Sequence, residues 1–401
     1  KFIGSIFTIA LASANGFCNE AITDREVSID MKPATAYSNL PPRNFWRSGI
    51  AEASDAHFPD LFHPKFPIDR SMKIATAGSC FAQHVGRHLR SNGFTIIDAE
   101  PAPPGLVGEA ARNFGYEMYS ARHGNIYFVR QLLQLTKEAS NRFTHGDPIW
   151  TRDGRFYDAL RPTVEPTGLV SEEAVRRQRA AHLRRFRQVL KEADVFVFTM
   201  GMIEAWVHEP SGTVYPIAPG VVADSAVPEE MKLHTFDFTE IRDDLVQFIR
   251  LLQRANPKCK VLLTVSPVAI TATANDEHIL VASTYTKSML RAVAGSVVKM
   301  FDHVDYFPGY EIVATHPTNG RFYAPNRRQV LPEGVACVMR HLTAAYGLTE
   351  EGSATESDAL PAQTRSEYEL TGSAKVKDNG DIEEEVACDE ILLENYATTA
   401  A

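Results

Sequence analysis

The sequence predicts an α/β protein built on a mainly parallel sheet of about five strands. Short apolar runs of strand length recur along the chain: MKIATA at 72–77, VFVFTM at 195–200, KVLLTV at 260–265 and VDYF at 304–307. Longer stretches with apolar residues at helical spacing lie between them. Strands that alternate with helices in this way need crossover connections, which place helices on both faces of the sheet.

The elements follow in order. Lys1, the apolar run Ile3 to Ala12 and the small residues Ala12-Ser13-Ala14 resemble a signal peptide over residues 1–14. The other reading of residues 1–36 is an apolar extension packed on the domain. The first puts the protein in the periplasm or outside the cell, the second in the cytoplasm. Residues 15–70 are rich in Pro, Asn, Asp and Ser and read as irregular, with Phe45, Trp46, Phe58, Phe62 and Phe66 holding the arm against a domain. The first strand begins at Met72, GSC is a turn, and FAQHVGRHLRSNG is a helix closed by Gly93. FTIID at 94–98 is the second strand.

Residues 101–170 are loop-rich, with one helix near Val129 to Glu138, and read as an insertion that forms a lid or one wall of a cleft. Helices are expected from Ser171 to Glu192, Thr239 to Ala255, 284 to 299 and Pro332 to Tyr346. The folded domain therefore spans 37–348. Residues 349–401 lose periodicity and become acidic, the composition of a disordered tail. Within it, DIEEEVACDEILLENY at 381–396 has the pattern of an amphipathic helix for a partner.

Charge narrows the functional classes. The formal net charge is −9, but residues 350–401 hold fourteen acids against three bases, which leaves 38 bases against 36 acids elsewhere. A near-neutral folded part gives no broad nucleic-acid surface. The Arg-rich helix at 176–188 reads as a solvated basic face, with Val175, Phe186, Val189 and Leu190 buried. Five widely spaced cysteines with no CxxC pair signal neither a zinc site nor a disulfide framework. Beyond the N-terminal segment, no run reaches the ~18 apolar residues of a membrane span. No cofactor and no metal are expected.

Ser79 falls at the carboxyl edge of the sheet, where helix N-termini point free N–H groups and ligands gather. A serine hydroxyl needs a base to take its proton and N–H donors to hold the oxyanion before it can attack an acyl carbon. A serine here also suits the ordinary role of a helix N-cap. Cys80 beside it is a weaker candidate nucleophile.

GSCFA at 78–82, FWRSG at 45–49, GNIYFVRQLLQL at 124–135, GMIEAW at 201–206, LTVSPVAITAT at 263–273 and DYFPGYEIV at 305–313 together resemble the GSCFA-domain family over residues 37–345. The resemblance implies an SGNH-hydrolase-like fold, a flavodoxin-like three-layer α/β/α sandwich, and hydrolytic or acyl-transfer chemistry on esters. It places Ser79 as nucleophile and Gly115, with Asn113 beside it, in the oxyanion block. In the third block Gly201-Met202-Ile203-Glu204 stands for Gly-x-Asn-Asp, so the oxyanion asparagine is missing and Glu204 stands where an acid is expected. In the last block Asn326-Arg327-Arg328-Gln329 replaces Asp-x-x-His, and an amide is no base near neutral pH.

A base must then come from elsewhere. His278 follows the loop after the strand at 260–265 and leaves the sheet on the edge that carries Ser79; His316 is the runner-up. Glu204 and Glu311 are acids at strand ends that could orient a histidine. His84, His88, Met200 and Met202 read as packing residues. The expected function is a serine esterase or acyltransferase with Ser79, His278 and Glu204 as catalytic residues and Ser79, Asn113 and Gly115 around the oxyanion. Its substrate would be a small-molecule or carbohydrate ester, with an O-acyl polysaccharide as one form. The alternative is a non-catalytic carbohydrate- or partner-binding module that has lost the dyad.

Overall fold

The computed structural model describes residues 35–53, 56–223, 228–348 and 388–397. The signal-peptide reading of residues 1–14 lies outside them. In chain order the elements are β1 (Lys73–Gly78), α1 (Phe81–Ser91), β2 (Thr95–Ile96), α2 (Gly108–Asn113), α3 (Val129–Ala139), β3 (Ile149–Arg152), β4 (Arg155–Asp158), α4 (Glu172–Glu192), β5 (Val195–Met200), β6 (Glu204–His208), β7 (Thr213–Tyr215), β8 (Met231–Thr235), α5 (Phe238–Ala255), β9 (Lys260–Val265), α6 (Ile279–Val298), β10 (Val304–Tyr306), α7 (Gly309–Ala314) and α8 (Pro332–Ala345). A 3₁₀ segment, Asp389–Tyr396, closes the described chain.

The main sheet has five strands in the order β10-β9-β5-β1-β2, and every pair is parallel. Counted along this sheet alone the order is 2-1-3-4-5, the flavodoxin-like doubly wound arrangement. Period-two alternation divides its side chains between two cores. Phe196 and Phe198 of β5 face the core shared with α3, α4, α5 and α6, whereas Val195 and Val197 face α1, α7 and α8. The fold is thus the three-layer α/β/α sandwich. Among the described residues no helix is long and apolar enough to cross a membrane.

Local chemistry explains most helix starts. Asp237 closes a capping box with Glu240 at the head of α5, and the Ser171 side chain accepts from the Ala174 N–H at the head of α4. The aromatic arm packs as its composition suggests: Phe58 and Phe66 are buried, and Phe62 meets Phe307 and Tyr346 edge-on.

Two small antiparallel sheets were not apparent in the sequence reading. The hairpin β3-β4 turns at Asp153-Gly154, both with positive φ, which is the Asp-Gly signature of a two-residue turn. The second sheet, β7-β6-β8, lies between β5 and α5. The insertion is tied to the sandwich by buried ion pairs and by a histidine–carboxylate contact. The Arg161 guanidinium, fully enclosed, meets Asp158 at 2.7 Å, Arg179 of α4 joins Asp158 and Glu138, and His182 of α4 lies 2.6 Å from Glu100. Arg179 therefore belongs to this network rather than to a solvated face, while Arg176 and Arg177 do form exposed i,i+4 pairs with Glu172 and Glu173.

Candidate active site

Ser79 sits between β1 and α1, and β1 pairs with β5 at the point where the strand order reverses. Doubly wound sheets bind ligands in the crevice outside the carboxyl ends of the strands at this point. Two glycines shape the turn. Gly78 has φ +144°, and a Cβ there would lie 2.4 Å from the Thr199 carbonyl oxygen. A Cβ on Gly201, just past β5, would lie 3.0 Å from the Cβ of Ser79 and 3.5 Å from the ring of Tyr127.

Ser79 is 3% exposed, and its Oγ is buried without a hydrogen-bond partner. The hydroxyl is therefore not capping α1. Its backbone N–H donates to Thr199 O at 3.0 Å, so that donor is already engaged. The Gly115 N–H likewise donates to Arg112 O at 2.8 Å, and Asn113 is exposed at the end of α2. The expected oxyanion set of Ser79, Asn113 and Gly115 is thus not assembled here, because the Ser79 amide is bonded across to β5, the Gly115 amide closes a local turn and the asparagine faces solvent.

The proposed triad is not assembled either. His278 is an exposed N-cap whose Nδ1 accepts from the Leu280 N–H at 3.2 Å. Glu204 holds the loop after β9: its carboxylate accepts from Thr273 Oγ1 at 2.6 Å, the Ala274 N–H at 2.7 Å and Asn275 Nδ2 at 2.5 Å. His316 stacks on Trp46, and Glu311 binds Arg291 and Tyr306. Asn326 and Gln329 are exposed, and Asn326 Oδ1 accepts the N–H groups of Arg328 and Gln329, so the amide block is a tight turn.

Other groups converge on Ser79. Tyr119 Oη donates to Ser79 O at 3.2 Å and contacts Asn125 Oδ1 at 2.5 Å, with Gln83 joining both. The Tyr127 carbonyl accepts from both the Gly201 and Met202 N–H groups at 3.1 Å. Lys287 of α6 is buried, and its Nζ donates to Gly201 O at 2.8 Å. Burial pulls its pKa down to about 8, although Glu390 pulls the other way.

The C-terminal segment completes the site. Part of the stretch expected to be disordered, residues 388–397, folds against the carboxyl edge; it is the described remainder of the predicted amphipathic helix, and it packs on its own domain. The Cys388 and Cys80 side chains share a hydrogen bond, and this bond, together with burial, pushes the Cys80 thiol well up. A thiol so held is a poor nucleophile. Asp389 accepts from Thr163 Oγ1 at 2.7 Å and Asn125 Nδ2 at 2.9 Å, and its N–H donates to Tyr127 Oη at 3.1 Å. Glu390 pairs with Arg328 at 3.3 Å.

Sequence reading missed Asn125, Lys287 and Arg328. Asn125 lies within the quoted segment GNIYFVRQLLQL, and Arg328 lies within the block already singled out. Lys287 carried no local signal, since a lysine on an amphipathic helix reads as exposed.

No curated protein matches the chain. Solved structures similar to it include a serine-to-alanine mutant of an acetyl esterase with acetate ion (9% identity, TM-score 0.30, covering 69% of this chain and 100% of that one). They also include an acetyl xylan esterase from the rumen bacterium Butyrivibrio proteoclasticus (12% identity, TM-score 0.28, 71% and 66%). A third is a carbohydrate esterase family 2 enzyme with a carbohydrate binding domain from Corynascus thermopiles (Myceliophthora fergusii), at 12% identity and TM-score 0.26, covering 72% and 69%. The GSCFA family profile matches residues 73–342, from the first residue of β1 into α8, and the chain belongs to the GSCFA family.

Proposed function

We propose that this chain is a serine-dependent esterase or acyltransferase acting on an O-acyl ester, with a carbohydrate as the alcohol. The observation that carries the reading is the Ser79 hydroxyl, buried without a partner at the switch point of the sheet. An unpartnered buried hydroxyl costs about 1–3 kcal/mol, and such groups persist where function needs them.

Lys287 is the base in this reading. Its Nζ and the Ser79 side chain meet the same residue, Gly201, from its carbonyl and its Cα sides. With a pKa near 8, a useful fraction is neutral at physiological pH. Ser79 Oγ attacks the acyl carbon while its proton passes to Lys287. The tetrahedral intermediate collapses, the alcohol leaves with that proton, and water or a second alcohol then attacks the acyl-serine. Asn125 Nδ2 and Thr163 Oγ1 supply the oxyanion donors, a role supported by the carboxylate oxygens of Asp389 that they now hold.

The second reading, a non-catalytic binding cleft, is favoured by the engagement of the Ser79 N–H with Thr199 O. Incubation with a fluorophosphonate followed by peptide mass spectrometry separates the two. Stoichiometric label on Ser79, absent in Ser79→Ala and slowed in Lys287→Met, supports the esterase. Folded protein that takes no label leaves the binding cleft.

A further inference from the structure

Arg328 already holds a carboxylate, supplied by the chain itself. The Arg328 guanidinium is largely buried; its Nε donates to Ala269 O at 3.0 Å and its Nη2 lies 3.3 Å from Glu390 Oε2. The second oxygen, Glu390 Oε1, accepts from the Thr271 N–H at 3.3 Å. The two oxygens of one carboxylate are thus gripped separately, by a guanidinium and by a backbone amide. Among the described residues Glu390 is the carboxylate paired with Arg328. Acidic side chains are almost never buried unless paired, yet Asp389 and Glu390 are each only 7% exposed. Asp389 is held by Asn125 and Thr163 of the insertion and Glu390 by Thr271 and Arg328, while Cys388 beside them meets Cys80, the neighbour of Ser79. Among the described residues no other carboxylate pairs with Arg328, so displacing this segment would leave the guanidinium without its counter-charge.

We propose that Arg328 and the Thr271 N–H form a carboxylate-binding subsite next to Ser79, and that the substrate is an acyl ester of an acidic, carboxylate-bearing sugar. Residues 388–390 occupy the same ground as that substrate, so the C-terminal segment is an intramolecular competitor. Asp389 fills the oxyanion position and Glu390 the position of the sugar carboxylate. The group held there is itself a carboxylate, gripped at both of its oxygens. The chemistry at Ser79 rests on the esterase reading, but the subsite stands on binding alone.

The test uses the full chain and two probes, sodium galacturonate and neutral galactose, in titration calorimetry at pH 7. The double substitution Asp389→Ala with Glu390→Ala should raise galacturonate affinity at least tenfold over the unsubstituted chain and leave galactose binding unchanged. Adding Arg328→Gln should erase that gain. Equal galacturonate affinity with and without the double substitution, or a gain that survives Arg328→Gln, overturns the proposal. Hydrogen exchange on the unsubstituted chain gives a second measurement that needs no variant to fold. Saturating galacturonate should speed exchange of the amides at 389–397, and galactose should not; no difference between the two sugars also overturns it. Galacturonate binding that persists in Ser79→Ala while Ser79 takes no fluorophosphonate would remove the esterase reading and keep the subsite.

Discussion

The Cβ of Ser79 lies 3.0 Å from where a side chain on Gly201 would begin, so the serine turn fits against the end of β5 because that residue has none. Gly78 makes the matching demand from the other side, with φ +144° and the Thr199 carbonyl 2.4 Å from its missing Cβ. Gly78→Ala combines a forbidden φ with a backbone clash and should destabilise the fold by about 2–4 kcal/mol. Gly201→Ala meets side chains that can shift slightly, should cost about 1–2 kcal/mol, and should slow labelling of Ser79. Urea denaturation measures both. A Gly78→Ala protein as stable as the parent would contradict this turn.

Lys287 sets a pH dependence. The base acts when neutral, so the labelling rate of Ser79 should rise with pH through about 8 and then level off. Lys287→Met should lower the plateau by ~10²–10⁴-fold and flatten the profile. Stability follows the same group. The folded pKa of about 8 lies below the ordinary lysine value of 10.5, so the folded chain binds fewer protons between these values. The contribution of Lys287 to stability is therefore at its most unfavourable below pH 8 and improves as pH rises toward 10.5. That slope should vanish in Lys287→Met.

Acid should unfold the protein early. Burial pulls His182 down to about 3 and His123 down to about 4, so both stay neutral in the folded chain where the unfolded chain takes up protons. No penalty exists above pH 6.5; it grows as pH falls from there toward the folded values. Each histidine should remove ~1.4 kcal/mol per pH unit within its window. Glu100, held down to about 2 despite its burial by its bond with His182, acts in the same direction below pH 4.5. Denaturation free energies between pH 7 and 4 measure the slope, and His182→Gln should reduce it by one proton's worth.

Asp158 anchors the insertion. Its carboxylate meets the fully enclosed guanidinium of Arg161 at 2.7 Å and reaches Arg179 at 3.5 Å. Asp158→Ala leaves a buried cation unpaired and should cost about 3–5 kcal/mol. Asp158→Asn keeps an acceptor and should fall between. If Asp158→Ala costs under about 1 kcal/mol, the network does not hold the insertion in place.

The sequence by itself determined the layered α/β frame and the position of Ser79. Strand runs such as VFVFTM and KVLLTV are buried on both faces and need only local apolar continuity, so their bounds coincide with β5 and β9. The serine turn is equally local, since Gly78 marks a φ that other residues avoid. The hairpin at Asp153-Gly154 carries a local turn dipeptide, but its strands are only four residues each and merge with the loops around them. What surrounds the serine hydroxyl was decided only by tertiary structure. His278 had the better sequence context, yet it turned outward to cap α6, while Lys287, two turns further along that helix, turned inward to Gly201. The docking of Asp389 and Glu390 was least legible of all. An acidic stretch reads as solvated because charge repels burial, and this pair is buried only because Arg328, Thr163 and Asn125, each distant in sequence, meet its carboxylates at one edge of the sheet.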